Sequence, residues 1–371
     1  MKTSLRRLWL KLHRWTALGL GWLLGLAALL GALLSVAKPL DRWAHPEFFM
    51  EQTSPAPAHA SPLEPALRQL RAEFGPQAGF TFRPPRTEQD TLWVYVRGPW
   101  DGTIYFDAAG QERGRRDEHE GFYNLLFELH SSLLLGDPGK AVLTGAALSY
   151  LLLLVTGLVL WWPARWPPVL KIRLTGGWRK WVFDLHNVGG AVLGVFIAVS
   201  VATGAYMAWP PLRTLVSSAF AEVPFKAPTL TADASAKTWL PLDEVVARAN
   251  AVYPGAMVGY VQVSPAQPVR VRLKLAEDPH PNGLTSVWLH PSTGTVLATK
   301  RFDQLDTGLR IVSVVYPLHT GELGGLALTI IVGLGGMVLA MLSVTGLVLW
   351  WTRRQSRKKA IAWTGSRVTE Q

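Results

Sequence analysis

The sequence predicts an α-helical membrane protein, with four transmembrane helices in two tandem repeats and two α+β domains outside the membrane. Three observations predict it. Charged residues make up only 17% of the 371 residues while hydrophobic ones make up 49%, against about a quarter charged in a soluble globular chain. The apolar excess is concentrated in four uncharged runs, at 15–37, 141–162, 188–212 and 323–352. The string TGLVLWW occurs twice, at 156–162 and 345–351, so the chain reads as two copies of one unit.

Each run is long enough to cross the hydrocarbon core, which takes roughly 20 helical residues. In lipid only a helix satisfies its own backbone hydrogen bonds within one segment. The fourth run exceeds one span and is expected to begin with a Gly-rich surface segment, Gly321, Gly324 and Gly325. Basic residues orient the spans. Lys2, Arg6, Arg7, Lys11 and Arg14 fill residues 1–14. Arg165, Lys171, Arg173, Arg179 and Lys180 fill the connection 163–187, and Arg353, Arg354, Arg357, Lys358 and Lys359 the tail 353–371. By the positive-inside rule these three segments are cytoplasmic. Residues 38–140 and 213–322 then form the two outer domains, in the periplasm of a bacterial inner membrane. The net charge of +11 is thereby a topology signal and not a nucleic-acid surface. The first run is too long for a signal-peptide core and lacks a small-x-small cleavage site, so it reads as a retained span. Trp161, Trp162, Trp350 and Trp351 sit where interfacial aromatics belong. The chain has no cysteine, which excludes disulfides, Cys-ligated clusters and thioether-attached haem. No P-loop is visible, nor a G-x-G-x-x-G after a strand, so the chain carries no evident nucleotide domain.

The repeat extends beyond one string. His130 and His319, each preceded by Leu, lie 26 residues before the Thr of their TGLVLWW. His13 and His186, each preceded by Leu, open spans one and three, with glycines 8 and 18 residues later (Gly21 and Gly31; Gly194 and Gly204). In the outer regions, residues 62–82 and 241–263 both read as a short amphipathic helix, a turn and a strand. Strand-like runs follow at 92–97 and 103–107, and at 269–275 and 286–290, ending in turns at Gly110 and Gly294. His290 takes the slot of Asp107 before the second of these turns.

The four matched histidines carry the chemistry. A pseudo-twofold axis along the membrane normal would bring His13 to His186 near the inner surface and His130 to His319 near the outer one. Two facing neutral imidazoles are the axial ligand set of haem b, whose macrocycle fits between the helices of a bundle. At about 100° per residue, 18 residues make about five turns, so Gly31 should share the face of His13 at the depth of the outer site, about 27 Å along. Gly204 stands likewise to His186. The absent side chains would admit a flat macrocycle, or else serve close helix packing. A structural zinc site wants four protein ligands with Cys or carboxylate among them. A di-iron bundle needs Glu-x-x-His motifs, and no span contains a Glu. His45, His59, His119 and His280 read as incidental. Glu128 and Glu322 flank the outer pair and could orient a ligand, and Arg14 and Arg165 stand where haem carboxylates would need partners.

Two haems, one near each surface, would carry electrons across the membrane. A cytoplasmic flavoprotein or other reductant, or a quinol, would reduce the inner one, and an acceptor held between the outer domains would oxidise the outer one. Trp100, Tyr105, Arg270 and Arg310 offer themselves as acceptor contacts.

The strings LHRW (12–15), YFDAAG (105–110), LHSSLLLGDPGK (129–140) and TGLVLWWP (156–163) resemble the PepSY-associated transmembrane family, and the likeness extends to both copies. The resemblance implies PepSY-like outer domains. The characterised branch of the family is similar to ferrioxamine-type siderophore reductases with two b haems. This implies reduction of a periplasmic Fe(III)-siderophore with release of Fe(II), and His13, His130, His186 and His319 as axial ligands of the haem iron. The second copy departs, with LHTGELGG for LHSSLLLGDPG and His290 for an acidic residue, which leaves the substrate open. Two other classes stand beside this reading. One is a membrane-anchored PepSY binding or regulatory protein linked with peptidase modulation. The other is a transporter, since repeated halves are common among them. Against transport, no span carries a charge or a mid-span break. Against a mere anchor, apolar length needs no matched histidines.

Overall fold

The computed structural model describes residues 3–51, 63–163, 166, 168, 170–173, 175–219, 225–230 and 239–368, the side chains of 217 and 357–368 excepted. Lys2, His59 and Arg165 lie outside the described residues, as do the side chains of Arg357, Lys358 and Lys359. The chain forms two compact units. A helical unit takes the chain up to Ser35, Leu126–Leu215 and everything from Leu318, and a sheet unit takes Val36–Leu125 and Val216–Pro317.

The first long helix joins α1 (Thr3–Thr16) to α2 (Trp22–Ala44) through one π-helical turn, Ala17–Gly21. The short α3 (Pro46–Phe49) follows. The first outer segment supplies α4 (Leu63–Phe74), β1 (Gly79–Arg83), β2 (Leu92–Arg97), β3 (Gly102–Phe106) and β4 (Glu112–Asp117). The chain returns through α5 (Phe122–Ser132) to α6 (Asp137–Trp161), then α7 (Trp178–Ala208) and α8 (Pro210–Ala219). The second outer segment supplies α9 (Leu242–Val252), β5 (Met257–Val263), β6 (Val269–Lys274), β7 (Thr285–Leu289), β8 (Val296–Lys300) and α10 (Thr307–Ser313). The short α11 (Val315–Thr320) and a 3-10 turn (Glu322–Gly324) lead into α12 (Gly325–Val368).

Among the described residues, four helices are long and apolar enough to cross a membrane: Thr3–Ala44, Asp137–Trp161, Trp178–Ala208 and Glu322–Ser356. The first and fourth contain the uncharged runs read from the sequence and overrun them, and the second ends one residue short at Trp161. The third run, 188–212, is cut at Ala208, where Trp209 leaves helical geometry and Pro210 opens a separate helix. Hydropathy marks the stretch that lipid can surround and not the place where helical hydrogen bonding stops. The Gly-rich entry to the fourth span is a turn, with Gly321 at φ 82° and Gly325 at φ 60°. At the other end the two TGLVLWW strings diverge. α6 stops at Trp161 before Pro163, since proline disfavours helix at the residue preceding it. α12 has Thr352 in that place and runs on to Val368.

Small residues let these helices approach. A Cβ added at Gly25 would stand 2.7 Å from Ser343 Cβ, one at Gly336 2.7 Å from the Ala28 carbonyl oxygen, and one at Gly333 2.7 Å from Ser35 Oγ. The glycine string in α12 thus serves packing against α2. The Tyr150 hydroxyl donates to the Gly194 carbonyl at 2.8 Å, tying α6 to α7. Leu23, Leu24, Ala146, Tyr150, Ile197, Leu339 and Leu342 form the apolar core of the bundle.

In the sheet unit the expected two α+β domains are instead two halves of one eight-stranded antiparallel sheet, ordered β4-β3-β2-β1-β5-β6-β7-β8. The seam is β1 against β5, with Thr81 opposite Gln262. Alone, each half would present its first strand as an unpaired edge, and pairing the two edges satisfies both rows of backbone groups. One face is apolar by strict alternation: Phe80 and Phe82, Leu92, Val94 and Val96, and Val269, Val271 and Leu273 are buried. Against it pack Leu63, Ala66, Leu67 and Leu70 of α4, at helical spacing, with Leu242, Val245 and Ala249 of α9. The predicted turns hold Gly110 at φ 78° and Gly294 at φ 68°. His290 performs the task of Asp107. Its Nδ1 accepts from the Ser292 and Thr293 amides at 3.2 and 3.3 Å, where Asp107 Oδ1 accepts from Ala109 and Gln111, both at 2.9 Å.

Candidate functional site

The four matched histidines form two pairs in the helical unit. The rings of His13 (α1) and His186 (α7) lie with centroids 6.4 Å apart and planes at 83°. Those of His130 (α5) and His319 (α11) lie 6.1 Å apart with planes at 31°. All four side chains are half-buried.

Each ring is held by Nδ1, and the partner settles which nitrogen of the neutral ring carries the proton. His13 Nδ1 lies 2.8 Å from Thr156 Oγ1, and that hydroxyl donates its hydrogen to the Leu152 carbonyl at 2.8 Å. The hydroxyl can then only accept from the imidazole. The same holds for His186 Nδ1, 3.0 Å from Thr345 Oγ1, whose hydrogen goes to the Met341 carbonyl at 2.8 Å. In the outer pair the acceptors are carbonyls, which cannot donate: Ala27 to His130 at 2.8 Å and Ser200 to His319 at 2.9 Å. Thr203 Oγ1 adds a second acceptor 3.1 Å from His319 Nδ1. In all four rings Nδ1 is the donor and Nε2 keeps its lone pair, the tautomer a metal-ligating histidine adopts when its other nitrogen is hydrogen-bonded. Main-chain carbonyls thus orient both outer imidazoles.

Glycines make room for the rings. A Cβ on Gly31 would stand 2.8 Å from His130 Cε1, and one on Gly204 2.9 Å from His319 Cε1. Gly31 and Gly204 thus lie at the depth of the outer pair as expected, and the imidazoles of His130 and His319 are the side chains that approach them. The inner pair has looser counterparts in the TGLVLWW strings, with 3.5 Å from a Cβ on Gly157 to His13 and 3.3 Å from one on Gly346 to His186. The sequence reading used those strings as the mark of duplication, of interfacial anchoring and of the family likeness, and not as part of the site. Their Thr-Gly pairs proved to be what seats the inner histidines.

The donor set can be tested against haem. Among the described residues the four histidines meet as two pairs of imidazoles. Haem brings its own four nitrogens and needs only that pair. An imidazole nitrogen sits about 2.0 Å from a bound metal and about 1.2 Å from its ring centre, so two coaxial rings on one ion have centroids about 6.4 Å apart. Both observed separations lie close to this. Beside His13, Arg14 Nε is buried with no hydrogen-bond partner among the described residues, a donor where an anionic group would be welcome. The residues present fit the group.

The expected acceptor contacts do not gather. Trp100 stacks on Phe74 at 5.7 Å, on the side of the sheet covered by the helices. Tyr105 and Arg270 lie on the opposite side, on strands four places apart in the sheet, or roughly 19 Å at the usual spacing. Arg310 Nε donates to the Leu305 carbonyl at 2.9 Å. That opposite face is cationic and aromatic. Arg83 lies 4.0 Å from the Trp93 ring centre and Arg270 5.2 Å from that of Trp288. Arg86, over Tyr260, is pushed down to about 10 by burial and by the neighbouring charge of Arg83. The every-second-residue series Trp93, Tyr95 and Arg97 in β2 and Arg270, Arg272 and Lys274 in β6 was the signal for this face, and the sequence reading did not use it.

Known proteins place the chain. The uncharacterized Pseudomonas aeruginosa protein PA4219 is 27% identical over 257 residues, which cover 64% of this chain and 65% of that protein. The family described as the PepSY-associated TM region matches residues 10–353, from α1 to α12. The chain belongs to the PepSY-associated TM region family.

Proposed function

We propose that this protein is a dihaem b electron carrier of a bacterial inner membrane, built from two tandem repeats, with both termini cytoplasmic and its sheet unit in the periplasm. It takes electrons from a cytoplasmic flavoprotein or other reductant, or from quinol, and reduces a periplasmic ferric chelate of the Fe(III)-siderophore kind, releasing Fe(II). The observation that carries the proposal is the pairing of His13 with His186 and of His130 with His319, with Nδ1 of every ring within hydrogen-bond distance of an oxygen, which leaves Nε2 free to ligate. Haem b, when bound, supplies a reversible one-electron couple. The chain's own residues do the rest. Thr156 and Thr345 orient the inner imidazoles, the Ala27 and Ser200 carbonyls orient the outer ones, and Arg14 Nε would be available as a donor to a haem carboxylate. Leu23, Leu24, Ile197, Leu339 and Leu342 keep water out of the bundle core. The cationic sheet face around Arg83, Arg270 and Arg272 favours an anionic chelate as the electron acceptor.

Absorption spectroscopy followed by stopped-flow mixing tests this. Full-length protein from haem-replete cells should show a Soret band and, on dithionite reduction, a sharp α band. The reduced protein should reoxidise anaerobically when mixed with ferric siderophores, with rates that depend on the chelate. A colourless protein would overturn the proposal and leave an anchored PepSY module. A coloured protein that ferric chelates do not reoxidise would remove the substrate and leave the electron carrier.

A further inference from the structure

A cleft of about 650 Å³ opens between α7 and α12 at the basic end of the bundle, lined by Arg179, Lys180, Phe183, Leu349, Thr352, Arg353 and Ser356. Three of these residues are cationic and none is acidic. Arg179 and Phe183 recur along one face of α7 that continues, a turn later, to His186. Leu349, Arg353 and Ser356 do so along one face of α12 that begins at Gly346, where a Cβ would come 3.3 Å from His186. Charge therefore sits at the mouth and apolar side chains lie deeper, toward the inner histidine pair. The positive-inside tendency explains how many basic residues this end carries, but not their convergence from two helices on one apolar-floored groove. Helix α6 of the first copy stops at Trp161 before Pro163, while α12 continues through Thr352, Arg353 and Ser356.

We infer that this cleft binds one anionic phospholipid per chain. The headgroup phosphate meets Arg179, Lys180 and Arg353, and an acyl chain lies against Phe183 and Leu349. A zwitterionic headgroup would bring its own cation among three others, and free phosphate would leave the apolar floor uncovered. Basic pockets between transmembrane helices at the membrane surface suit phosphate headgroups in this way. The inference concerns the polypeptide alone and stands whether or not haem is bound.

Native mass spectrometry of the full-length protein in neutral detergent tests it, with phosphatidylglycerol, phosphatidylcholine of the same acyl chains, or inorganic phosphate added. The expected result is one retained phosphatidylglycerol per chain, favoured about tenfold or more over phosphatidylcholine, and not displaced by millimolar phosphate. The triple variant Arg179→Gln/Lys180→Gln/Arg353→Gln should lose that preference, while Arg6→Gln/Arg7→Gln/Lys11→Gln, which removes equal charge from the same end, keeps it. Equal retention of both lipids, displacement by phosphate, or the same loss in both triple variants would overturn the inference. Loss of inner-site haem absorbance in the first variant alone, without a change in lipid binding, would also overturn it and assign these cations to the haem carboxylates.

Discussion

Glu64 and Asp243 cap each other's helices. Asp243, at the start of α9, accepts from the Leu63 and Glu64 amides of α4 at 2.8 and 3.0 Å. Glu64 accepts from the Leu242 amide of α9 at 2.7 Å. The two acids follow Leu63 and Leu242 in the matched segments, so the exchange has the reciprocity of a twofold relation. Each carboxylate also sits at the positive end of a helix dipole. Removing an N-cap acceptor costs about 1 kcal/mol. Glu64→Ala should therefore speed amide exchange at the start of α9 about fivefold, and Asp243→Ala should do the same at the start of α4. Hydrogen exchange of the full chain read by mass spectrometry checks this, and acceleration confined to the mutated helix would contradict reciprocal capping.

The four glycines beside the histidines predict a graded series. Gly31→Ala and Gly204→Ala place a methyl 2.8 and 2.9 Å from an imidazole carbon, so each should displace its ring and cost the outer haem. Gly346→Ala, at 3.3 Å, should shift the inner site modestly, and Gly157→Ala, at 3.5 Å, should be tolerated. Haem content per chain by pyridine haemochrome reads the series. Equal loss at all four positions would point to general helix packing instead.

Thr156 and Thr345 are positioning residues for the inner pair. Thr156→Val keeps the shape and removes the acceptor for His13 Nδ1, and loss of such an orienting partner costs on the order of 10–100-fold in metal affinity. The expected outcome is weaker inner haem retention and a changed inner midpoint potential, both restored by Thr156→Ser. A potential that stays the same in Thr156→Val would show that the hydrogen bond does not tune the site.

His280 links the sheet unit to pH. Burial first, and then the charges of Arg272, Lys274 and Arg86, push it down from 6.5 to about 4, and its ring stacks on Tyr316 at 5.8 Å. The fold favours the neutral ring while the unfolded chain protonates it near pH 6.5. This contribution is therefore complete above pH 6.5, declines as the pH falls from there, and is gone below about 4. It amounts at most to about 3 kcal/mol. Thermal melts of the full chain across that window should show a steeper loss for wild type than for His280→Gln, and parallel curves would contradict the assignment.

Much of this was legible because lipid and duplication each leave a mark. Uncharged runs located the spans, and matched offsets located His13, His130, His186 and His319. The π-helical turn at Ala17–Gly21 left no mark, although it shifts the phase between His13 and Gly31 while the equivalent stretch of α7 stays α-helical. The carbonyl partners of Ala27 and Ser200 were illegible, since any residue type supplies a carbonyl. β4, with the sequence ERGRRD, was missed because an edge strand can be charged. Arg115 there pairs with Glu73 and Glu112, and Arg116 with Asp41. The joining of both halves into one sheet was missed because the β1–β5 pairing connects segments nearly 180 residues apart (Phe82 to Val261) with no local signal.

The pairing of imidazoles across the repeat is tested most directly by haem stoichiometry and reduced-minus-oxidised spectra of wild type and of the four single His→Ala variants. The expected result is about two haems per wild-type chain and about one in each variant. His13→Ala and His186→Ala should leave one residual spectrum, and His130→Ala and His319→Ala the other. If His13→Ala and His130→Ala instead emptied one common site, or if no variant changed the haem content, the pairing would be contradicted.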